Sequence, residues 1–312
     1  MATTETARAT EAAEAAAVAV YHAGSRAVQD RVGVREAADH VGRSVGQGIK
    51  PVAAAFLELQ PLLVAGAAAP GTGRVWASPL TGTPGFVRAT GPRRMSVTGG
   101  PPPADPLTTA LATAGTRVGT LALDPRTRRR MRLNGLLCPT PRGFAVEAEQ
   151  VFANCPKYLQ KREAYETVTG REPGEARRTR RLTDTQRAFV EAADTFFVAT
   201  VHETGADASH RGGNPGFVRV PSPTELTWRD YPGNAMFRTL GNLVADPRAG
   251  LLFLDWTTGT SLQLTGEART EFTPDGERRV RFTVAEALET PRAVPLRWSA
   301  PAYSPANPTP PG

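Results

Sequence analysis

Cysteine, lysine and long apolar runs are all scarce in this chain of 312 residues. The two cysteines, Cys138 and Cys155, are too few for a disulfide framework or a four-ligand zinc site. The longest apolar run, around residues 61–69, is too short to cross a bilayer. The N-terminus is acidic and alanine-rich, without the basic start of a signal peptide. We therefore expect a cytoplasmic protein that does not act at a membrane.

Several motifs of catalysis and nucleotide binding are also missing. The sequence has no GxSxG, Walker or dinucleotide GxGxxG motif, so it does not indicate a second nucleotide-binding domain. The histidines lack the spacing of a metal site, so we predict no bound metal. His210, one of the four, is better interpreted as a structural or ligand-contacting residue than as a catalytic base. The sequence assigns no catalytic residue.

The chain is basic, with 37 Lys and Arg against 30 Asp and Glu and a net charge of +7. Such a balance can indicate nucleic-acid binding. However, lysine occurs only at positions 50, 157 and 161. Replacement of lysine by arginine on this scale is more typical of a GC-rich genome than of a function. We expect a small-molecule partner and no nucleic acid.

Glycine and proline are abundant, at 30 and 28 residues, and favour a turn-rich, mainly β protein. The pentapeptide PGFVR occurs at residues 84–88 and again at 215–219, an offset of 131. At this offset residues 77–135 align with 208–266 without a gap, and about a third of the positions are identical. The pattern predicts two copies of one β unit that pack as a homodimer would. The alternative is that the copies have separate structural roles.

The two copies differ in polar residues before and within one helix. A helix predicted to begin near Asn234, with Asn234 as its cap, carries Arg238, Thr239 and Asn242, which are groups suited to phosphate. Such a helix start is a weak signal by itself. The first copy keeps a threonine at the position of Thr239, but has proline in place of Asn234 and leucine in place of Arg238 and Asn242. This asymmetry favours a ligand site in the second copy alone.

The second copy contains ASHRGG, PGFVR, WRDYPGN, FRTLGNLVADPRAGLLFLD and LQLTG, in this order, within residues 208–266. These segments resemble the flavin mononucleotide (FMN) split barrels of the pyridoxamine 5'-phosphate oxidase family. Tyr21 to Gly24 with Gln29, NCPKY at 154–158 and the tail at 295–308 resemble further features of a two-copy branch. The residues that bind substrate phosphate in a true pyridoxamine phosphate oxidase are not recognisable, so we do not predict vitamin B6 synthesis.

The resemblance implies a fold of two tandem split β-barrels, mainly β with flanking helices. Each barrel would be six-stranded with Greek-key topology, and the pair would form an intramolecular pseudo-dimer with FMN between its units. The protein would be a monomer with this pseudo-dimer core, or a homodimer. The implied cofactor-binding residues are Ser209, His210, Arg211, Asn234, Arg238, Thr239, Asn242, Gln263, Arg297 and Trp298.

The corresponding organisation has four parts: an N-terminal helical segment at 1–50, a first barrel at 51–160, an Arg-rich connector at 161–182 and a second barrel at 183–312. The implied activity is that of an FMN-dependent oxidoreductase acting on an unidentified small molecule, with NAD(P)H or O2 as redox partner. The alternatives are a flavin- or haem-binding carrier or sensor and a deazaflavin-dependent reductase. A basic hairpin at 126–130 indicates a solvated turn or, alternatively, a surface that faces an anionic substrate or the neighbouring copy's flavin.

Overall fold

The computed structural model describes residues 20–102, 104–153 and 155–308. The start of the predicted helical segment, Pro103, Asn154 and the last four residues lie outside the described residues. Within that segment, helices α1 (Ala23–Val32) and α2 (Arg35–Gly42) follow one another. The His22 side chain caps α1 by accepting a hydrogen bond from the Gly24 N–H. No helix in the described ranges is both long and apolar enough to span a membrane.

The first unit is an antiparallel sheet of seven strands with a helix and a short 3-10 turn. Its strands follow the order β2-β1-β5-β6-β7-β4-β3 across the sheet. The elements are α3 (Pro51–Glu58), β1 (Leu62–Ala68), β2 (Val75–Thr81), β3 (Val87–Gly91), β4 (Arg94–Thr98), the 3-10 turn (Ala110–Ala112), β5 (Arg117–Asp124), β6 (Arg129–Thr140) and β7 (Gly143–Ala153).

The second unit is an eight-stranded sheet with the main order β11-β10-β14-β15-β16-β13-β12, to which β9 adds beside β16. Strands β8 and β17 form a separate pair. The elements are β8 (Tyr165–Thr167), β9 (Arg177–Thr179), α4 (Asp184–Ala192), β10 (Thr195–His202), β11 (Gly205–Gly212), β12 (Val218–Ser222), β13 (Glu225–Arg229), α5 (Arg238–Ala245), β14 (Arg248–Leu254), β15 (Ser261–Phe272), β16 (Arg278–Thr290) and β17 (Leu296–Trp298).

The number of strands differs from the six per unit that the family resemblance implies. The sheets have seven and eight strands, partly because the Arg-rich segment at 161–182 is not a bare connector. Its residues 177–179 pair with β16, and its residues 165–167 pair with β17. The predicted start of α4 is confirmed: Thr183 and Gln186 form a reciprocal capping box, in which each side chain bonds the backbone N–H of the other.

The two sheets share their strand order and also a local irregularity. In the first sheet the register between β6 and β7 shifts at Asn134/Gly135, and in the second the register between β15 and β16 shifts at Thr265/Gly266. These positions are 131 residues apart. A Cβ at Gly135 or Gly266 would lie 1.9 Å from a carbonyl oxygen of the neighbouring strand, so both bulges need glycine. The shared topology fits two tandem domains.

The units pack against each other through reciprocal contacts of glycine with backbone. A Cβ at Gly119 on β5 would lie 2.4 Å from the Asp207 Cα on β11. A Cβ at Gly250 on β14 would lie 2.6 Å from the Trp76 Cα on β2. Gly250 is the counterpart of Gly119 at the offset of 131, and Asp207 is the counterpart of Trp76. Equivalent residues therefore exchange partners, as a two-fold axis between the units requires.

Four buried apolar clusters occur among the described residues, and three of them are centred on the two sheets. One lies within each unit and includes Phe144 in the first and Phe196 in the second. A third joins the units: it contains Leu62 and Val64 of β1 together with Phe197 of β10, and Trp298 of β17. The third cluster therefore forms an apolar boundary between the two units.

Candidate functional site

The loop before α5 does not have the predicted form. The helix begins at Arg238, with Phe237 at its N-cap, so the prediction that it begins near Asn234 is wrong. Ala235 and Phe237 both have positive φ, 60° and 50°, which interrupts the helical path. The Asn234 Oδ1 instead accepts a hydrogen bond from the Met236 N–H at 3.2 Å. Left-handed conformations cost non-glycine residues about 1 kcal/mol or more each, and they are common at functional sites.

Helix α1 holds this loop in place from the N-terminal segment. Gln29, fully buried, donates a hydrogen bond from Nε2 to the Met236 carbonyl at 3.0 Å. Gly24 lies so close to α5 that a Cβ there would be 2.3 Å from the Gly241 oxygen. The loop is thus fixed by residues more than 200 positions earlier in the sequence.

A cavity of about 120 Å³ lies beside this loop, between β6 of the first unit and β11 of the second. We call it the arginine cavity, because basic side chains dominate its lining. Those basic side chains are Arg130, Arg132, Lys157, Arg211, Arg229 and Arg238. Among the described residues that line it, Asp230 supplies the single carboxylate.

Arg130 comes from the first unit and contacts the second. Its Nη1 donates to the His210 Nδ1 at 2.7 Å, and its Nη2 donates to the Cys155 carbonyl at 2.7 Å. Burial, with Arg132 and Arg211 nearby, lowers the pKa of Arg130 to about 9. Such a shift means that the positive charge is held at a cost, which a bound anion would offset.

Arg132 lies two residues further along β6 and is buried. Its Nη1 donates to the Asp207 carboxylate at 2.8 Å, and the Asn134 Nδ2 donates to the other oxygen of that carboxylate at 3.0 Å. The pair crosses from the first unit to β11 of the second. Arg132 is therefore neutralised by Asp207, whereas Arg130 has no carboxylate partner in the part of the chain that the structure describes.

Arg211 and Ser209 lie on β11, as predicted. The Arg211 Nη1 donates to the His210 carbonyl at 3.0 Å and to the Ser209 hydroxyl at 3.2 Å. Its Nη2 lies 3.8 Å from the Asp230 carboxylate, which also pairs with Arg278 at 3.0 Å. Because the two arginines share one carboxylate, Arg211 keeps part of its positive charge unmatched. Burial lowers its pKa.

Arg238 and Thr239 form the first turn of α5. Arg238 is 9% exposed and donates to the Gln150 Oε1 at 2.6 Å and to the Val20 carbonyl at 3.0 Å. Its guanidinium also lies 4.6 Å from the centre of the Phe152 ring. The Thr239 hydroxyl is 3.0 Å from the Ser209 hydroxyl. Arg238 thus lines the arginine cavity while it is anchored to β7 of the first unit.

Asn242 belongs to a neighbouring polar network and does not line the arginine cavity. Its Oδ1 is 2.8 Å from the His22 Nε2, and its Nδ2 donates to the Thr200 hydroxyl at 2.9 Å. The His22 ring stacks on the His202 ring, with centroids 4.3 Å apart. Burial, with His22 nearby, lowers the pKa of His202 to about 4. The oxygen and the nitrogen of the Asn242 side-chain amide therefore both have hydrogen-bond partners within the protein.

Gln263, Arg297 and Trp298 lie elsewhere. Gln263 crosses the boundary in the opposite direction from Arg132, and its Nε2 is 3.0 Å from the Ala77 carbonyl and 3.0 Å from the Asp105 carboxylate. Arg297 is exposed and pairs with Glu166. Trp298 is buried beside Trp256 in the cluster between the units. The structure does not bring these three to the arginine cavity.

At the counterparts of two polar α5 positions the first unit has buried leucines. Leu107 and Leu111 stand at the positions of Arg238 and Asn242, and both are buried in the first unit's core. Asp105 receives hydrogen bonds there from Ser78 at 2.6 Å and from Gln263. The two units therefore differ in structure at this position: Arg238 lines the arginine cavity, whereas its counterpart Leu107 is packed in the first unit's core.

Arg130 and Arg132 were not among the predicted site residues. Arg130 belongs to the basic hairpin at 126–130, for which the sequence favours a solvated turn, with a surface that faces an anionic substrate or the neighbouring copy's flavin as the alternative. The signal that identifies them is the repeat itself, because Arg132 occupies the position of Gln263. The arginine cavity takes Arg130 and Arg132 from β6 of the first unit, whereas Gln263 on β15 of the second does not line it.

A family model described as pyridoxamine 5'-phosphate oxidase matches residues 182–299, which is most of the second unit. The resemblance to that family is confirmed for this unit. None of the curated proteins matches the chain.

Solved structures similar to the chain include several proteins of low identity. A putative pyridoxamine 5'-phosphate oxidase from Lactobacillus delbrueckii is 16% identical, with 35% of this chain and 94% of that chain covered and a TM-score of 0.30. An FAD-binding protein from Mycobacterium smegmatis is 12% identical, with 36% and 98% covered and a TM-score of 0.27. HupZ from Group A Streptococcus is 12% identical, with 33% and 89% covered and a TM-score of 0.28.

Several buried polar atoms without hydrogen-bond partners belong to residues that line the arginine cavity. Four of the arginines that line it have a buried Nε without a hydrogen-bond partner among the described residues, and the His210 Nε2 is also buried without one; the arginines are Arg130, Arg132, Arg211 and Arg238. Unsatisfied buried donors usually cost about 1–3 kcal/mol each. All five are donors on groups beside one cavity, so the cavity fits an anionic ligand with several acceptor oxygens.

Proposed function

We propose that this chain binds FMN with its phosphate in the arginine cavity, and that it acts as an oxidoreductase on a small molecule. The observation that carries the proposal is the convergence of Arg130, Arg211 and Arg238 on one cavity that lies at a boundary between two units. Like charges this close repel one another, and an anion offsets that repulsion. A phosphate accepts several charge-assisted hydrogen bonds from such donors.

The volumes of two adjoining cavities support a ligand whose phosphate and ring lie in different cavities. The arginine cavity, at about 120 Å³, is smaller than the usual 300–1,000 Å³ of a cofactor site. A groove of about 580 Å³ adjoins it and shares the lining residues Phe217, Arg229 and Tyr231. We place the phosphate in the cavity and the flavin ring in the groove, against these aromatic side chains. Aromatic faces suit a planar ring.

Flavin, when bound, supplies hydride transfer, and the protein positions it. Arg130 and Arg211 would hold the phosphate, and the buried Arg238 would fix the α5 end of the site to the first unit. The apolar cluster between the units would keep water from one side of the site. The redox partner would be NAD(P)H or O2, because the cofactor has to be reduced and reoxidised in turn.

We also propose that both units are split barrels that arose by duplication and now pack as a pseudo-dimer. The shared strand order, the shared bulge and the reciprocal glycine contacts support this. In that arrangement the first-unit site lost its ligand when Leu107 and Leu111 filled it. A pair of matching sites became one.

The test begins with the purified full chain. Visible absorption and release of the bound group by acid, followed by chromatography, identify the cofactor as FMN, another flavin, a deazaflavin or haem. We expect one FMN per chain. Anaerobic addition of NADPH or NADH should bleach the flavin, and air should restore it. A flavin that no donor reduces would favour a carrier or sensor over an enzyme, and a Soret band or an empty chain would contradict the proposal.

A further inference from the structure

His210 is held in one orientation within β11. It is 4% exposed, and its ring meets the Phe197 ring edge to face, with centroids 6.1 Å apart. The Arg130 Nη1 lies 2.7 Å from its Nδ1. A guanidinium donates hydrogen bonds and accepts none, so the His210 Nδ1 has to be the acceptor. The single proton of the neutral ring is therefore on Nε2.

Protonation of His210 is strongly disfavoured by its surroundings. Burial is the largest cause, and the charges of Arg130, Arg211 and Arg132 add to it, so the pKa of His210 lies well below its usual 6.5. Protonating Nδ1 would also break the hydrogen bond from Arg130. His210 is consequently a neutral side chain throughout the physiological pH range, and it is not a general base, because its free nitrogen carries the proton.

The His210 Nε2–H has no hydrogen-bond partner among the described residues, although it is buried and its side chain lines the arginine cavity. A donor left in this state costs free energy unless a ligand accepts from it. The charged donors around His210 determine which ligand atom accepts from Nε2–H. An oxygen that carries negative charge and no proton is stabilised most, because it can accept hydrogen bonds from all of these donors.

We infer that His210 is an uncharged donor that binds an unprotonated phosphate oxygen of the ligand through Nε2–H, and that Arg130 is a positioning residue that fixes the His210 tautomer. This inference rests on the proposed anion site and deepens it. It also explains why histidine suits this position: a further cation would add to the repulsion among the arginines, whereas a neutral imidazole adds a donor without charge.

Nitrogen NMR of the full chain tests the tautomer without any flavin. In protein with ¹⁵N-labelled histidine, long-range ¹H–¹⁵N spectra distinguish the two neutral tautomers from the imidazolium, and loss of one signal set in His210→Gln assigns the residue. We expect the Nε2–H form at pH 7. Arg130→Met should release the tautomer, and Arg129→Met, on the adjacent exposed residue, should not. An Nδ1–H form, an imidazolium at pH 7 or no response to Arg130→Met would overturn the assignment.

Calorimetry with inorganic phosphate and with FMN tests the ligand. Glutamine places an amide N–H near the position of the imidazole Nε2, so His210→Gln should bind both ligands within about threefold of wild type, whereas His210→Phe should lose about tenfold or more. Equal losses in the two variants would overturn the donor role. A loss for FMN with unchanged phosphate binding would place the acceptor on the ring and overturn the phosphate assignment. If phosphate binds as expected and FMN does not, the inference stands and the proposed function fails.

Discussion

Arg132 and Gln263 occupy equivalent positions in the two units, and their side chains cross the boundary in opposite directions. Arg132 reaches Asp207 at 2.8 Å, and Gln263 reaches the Ala77 carbonyl at 3.0 Å. Asp207 and Ala77 lie at matching places on β11 and β2, one residue apart in the aligned repeat. Each unit thus contributes a side chain to the other unit's site. The arginine cavity is consequently a joint product of both halves of the chain.

Arg130→Gln should weaken FMN binding by about tenfold or more, because it removes a charged donor that has no carboxylate partner among the described residues. The neighbouring exposed Arg129 offers a control of identical chemistry, and Arg129→Gln should retain FMN as wild type does. The measurement is quenching of flavin fluorescence on titration with each variant. Equal affinity of the two variants would place the anion elsewhere.

Arg238→Ala and Leu107→Ala alter equivalent positions in the two units. The first should lower the flavin content, and the second should lower the free energy of unfolding. Leu107 is fully buried in the first unit's core, so its truncation should lower the free energy of unfolding by about 2–5 kcal/mol and leave the flavin content unchanged. Arg238→Ala should reduce the flavin content severalfold. Denaturant unfolding and the ratio of flavin to protein measure the two effects. A parallel loss of flavin in both variants would argue against a site in one unit only.

Gly119→Ala and Gly250→Ala should each destabilise the chain by about 1–3 kcal/mol, because the added Cβ would overlap the backbone of the opposite unit. The reciprocal geometry predicts losses of similar size. Gly100→Ala is the control, since nothing lies within 4 Å of a Cβ at that position. Thermal unfolding measures all three. A tolerated alanine at both positions would contradict the close packing of the units.

Stability should fall as the pH drops from about 6.5 to about 4. The pKa of His202 in the folded chain is about 4, below its usual 6.5, because of burial and the adjacent His22 ring. In this range the unfolded chain binds a proton that the folded chain does not, so acid favours unfolding. The contribution is about 2 kcal/mol after allowance for partial exposure. His202→Gln should reduce this slope, and NMR titration of the ring reads the pKa directly.

The repeat in the sequence predicted that the fold consists of two similar units. One offset of 131 aligns PGFVR with PGFVR, and it also aligns Gly135 with Gly266, which sit at equivalent bulges. The start of α4 could be predicted as well, because Thr183 and Gln186 are neighbours whose capping depends on local chemistry alone. Local pattern and repetition are properties that a single sequence displays.

The start of α5 and the residues of the candidate site were harder to predict from the sequence. Asn234 has the side chain of a helix cap, but the loop is held by Gln29, whose contact with Met236 spans 207 residues and leaves no local pattern. The family resemblance implies Gln263 as a residue that contacts the flavin ring or phosphate. Gln263 on β15 does not line the arginine cavity, and only the packing of the two sheets shows that Arg130 and Arg132 on β6 of the other unit do.

Joining the two units in one polypeptide also frees them from being identical. In a dimer of identical chains, every arginine added to one binding site would appear in the second site too, and the electrostatic strain of gathering unmatched guanidinium groups would arise twice in each particle. Here the chain bears that strain once, and the opposite site contributes stability through packed leucine. Affinity for an anion and robustness of the scaffold can therefore be adjusted by separate substitutions.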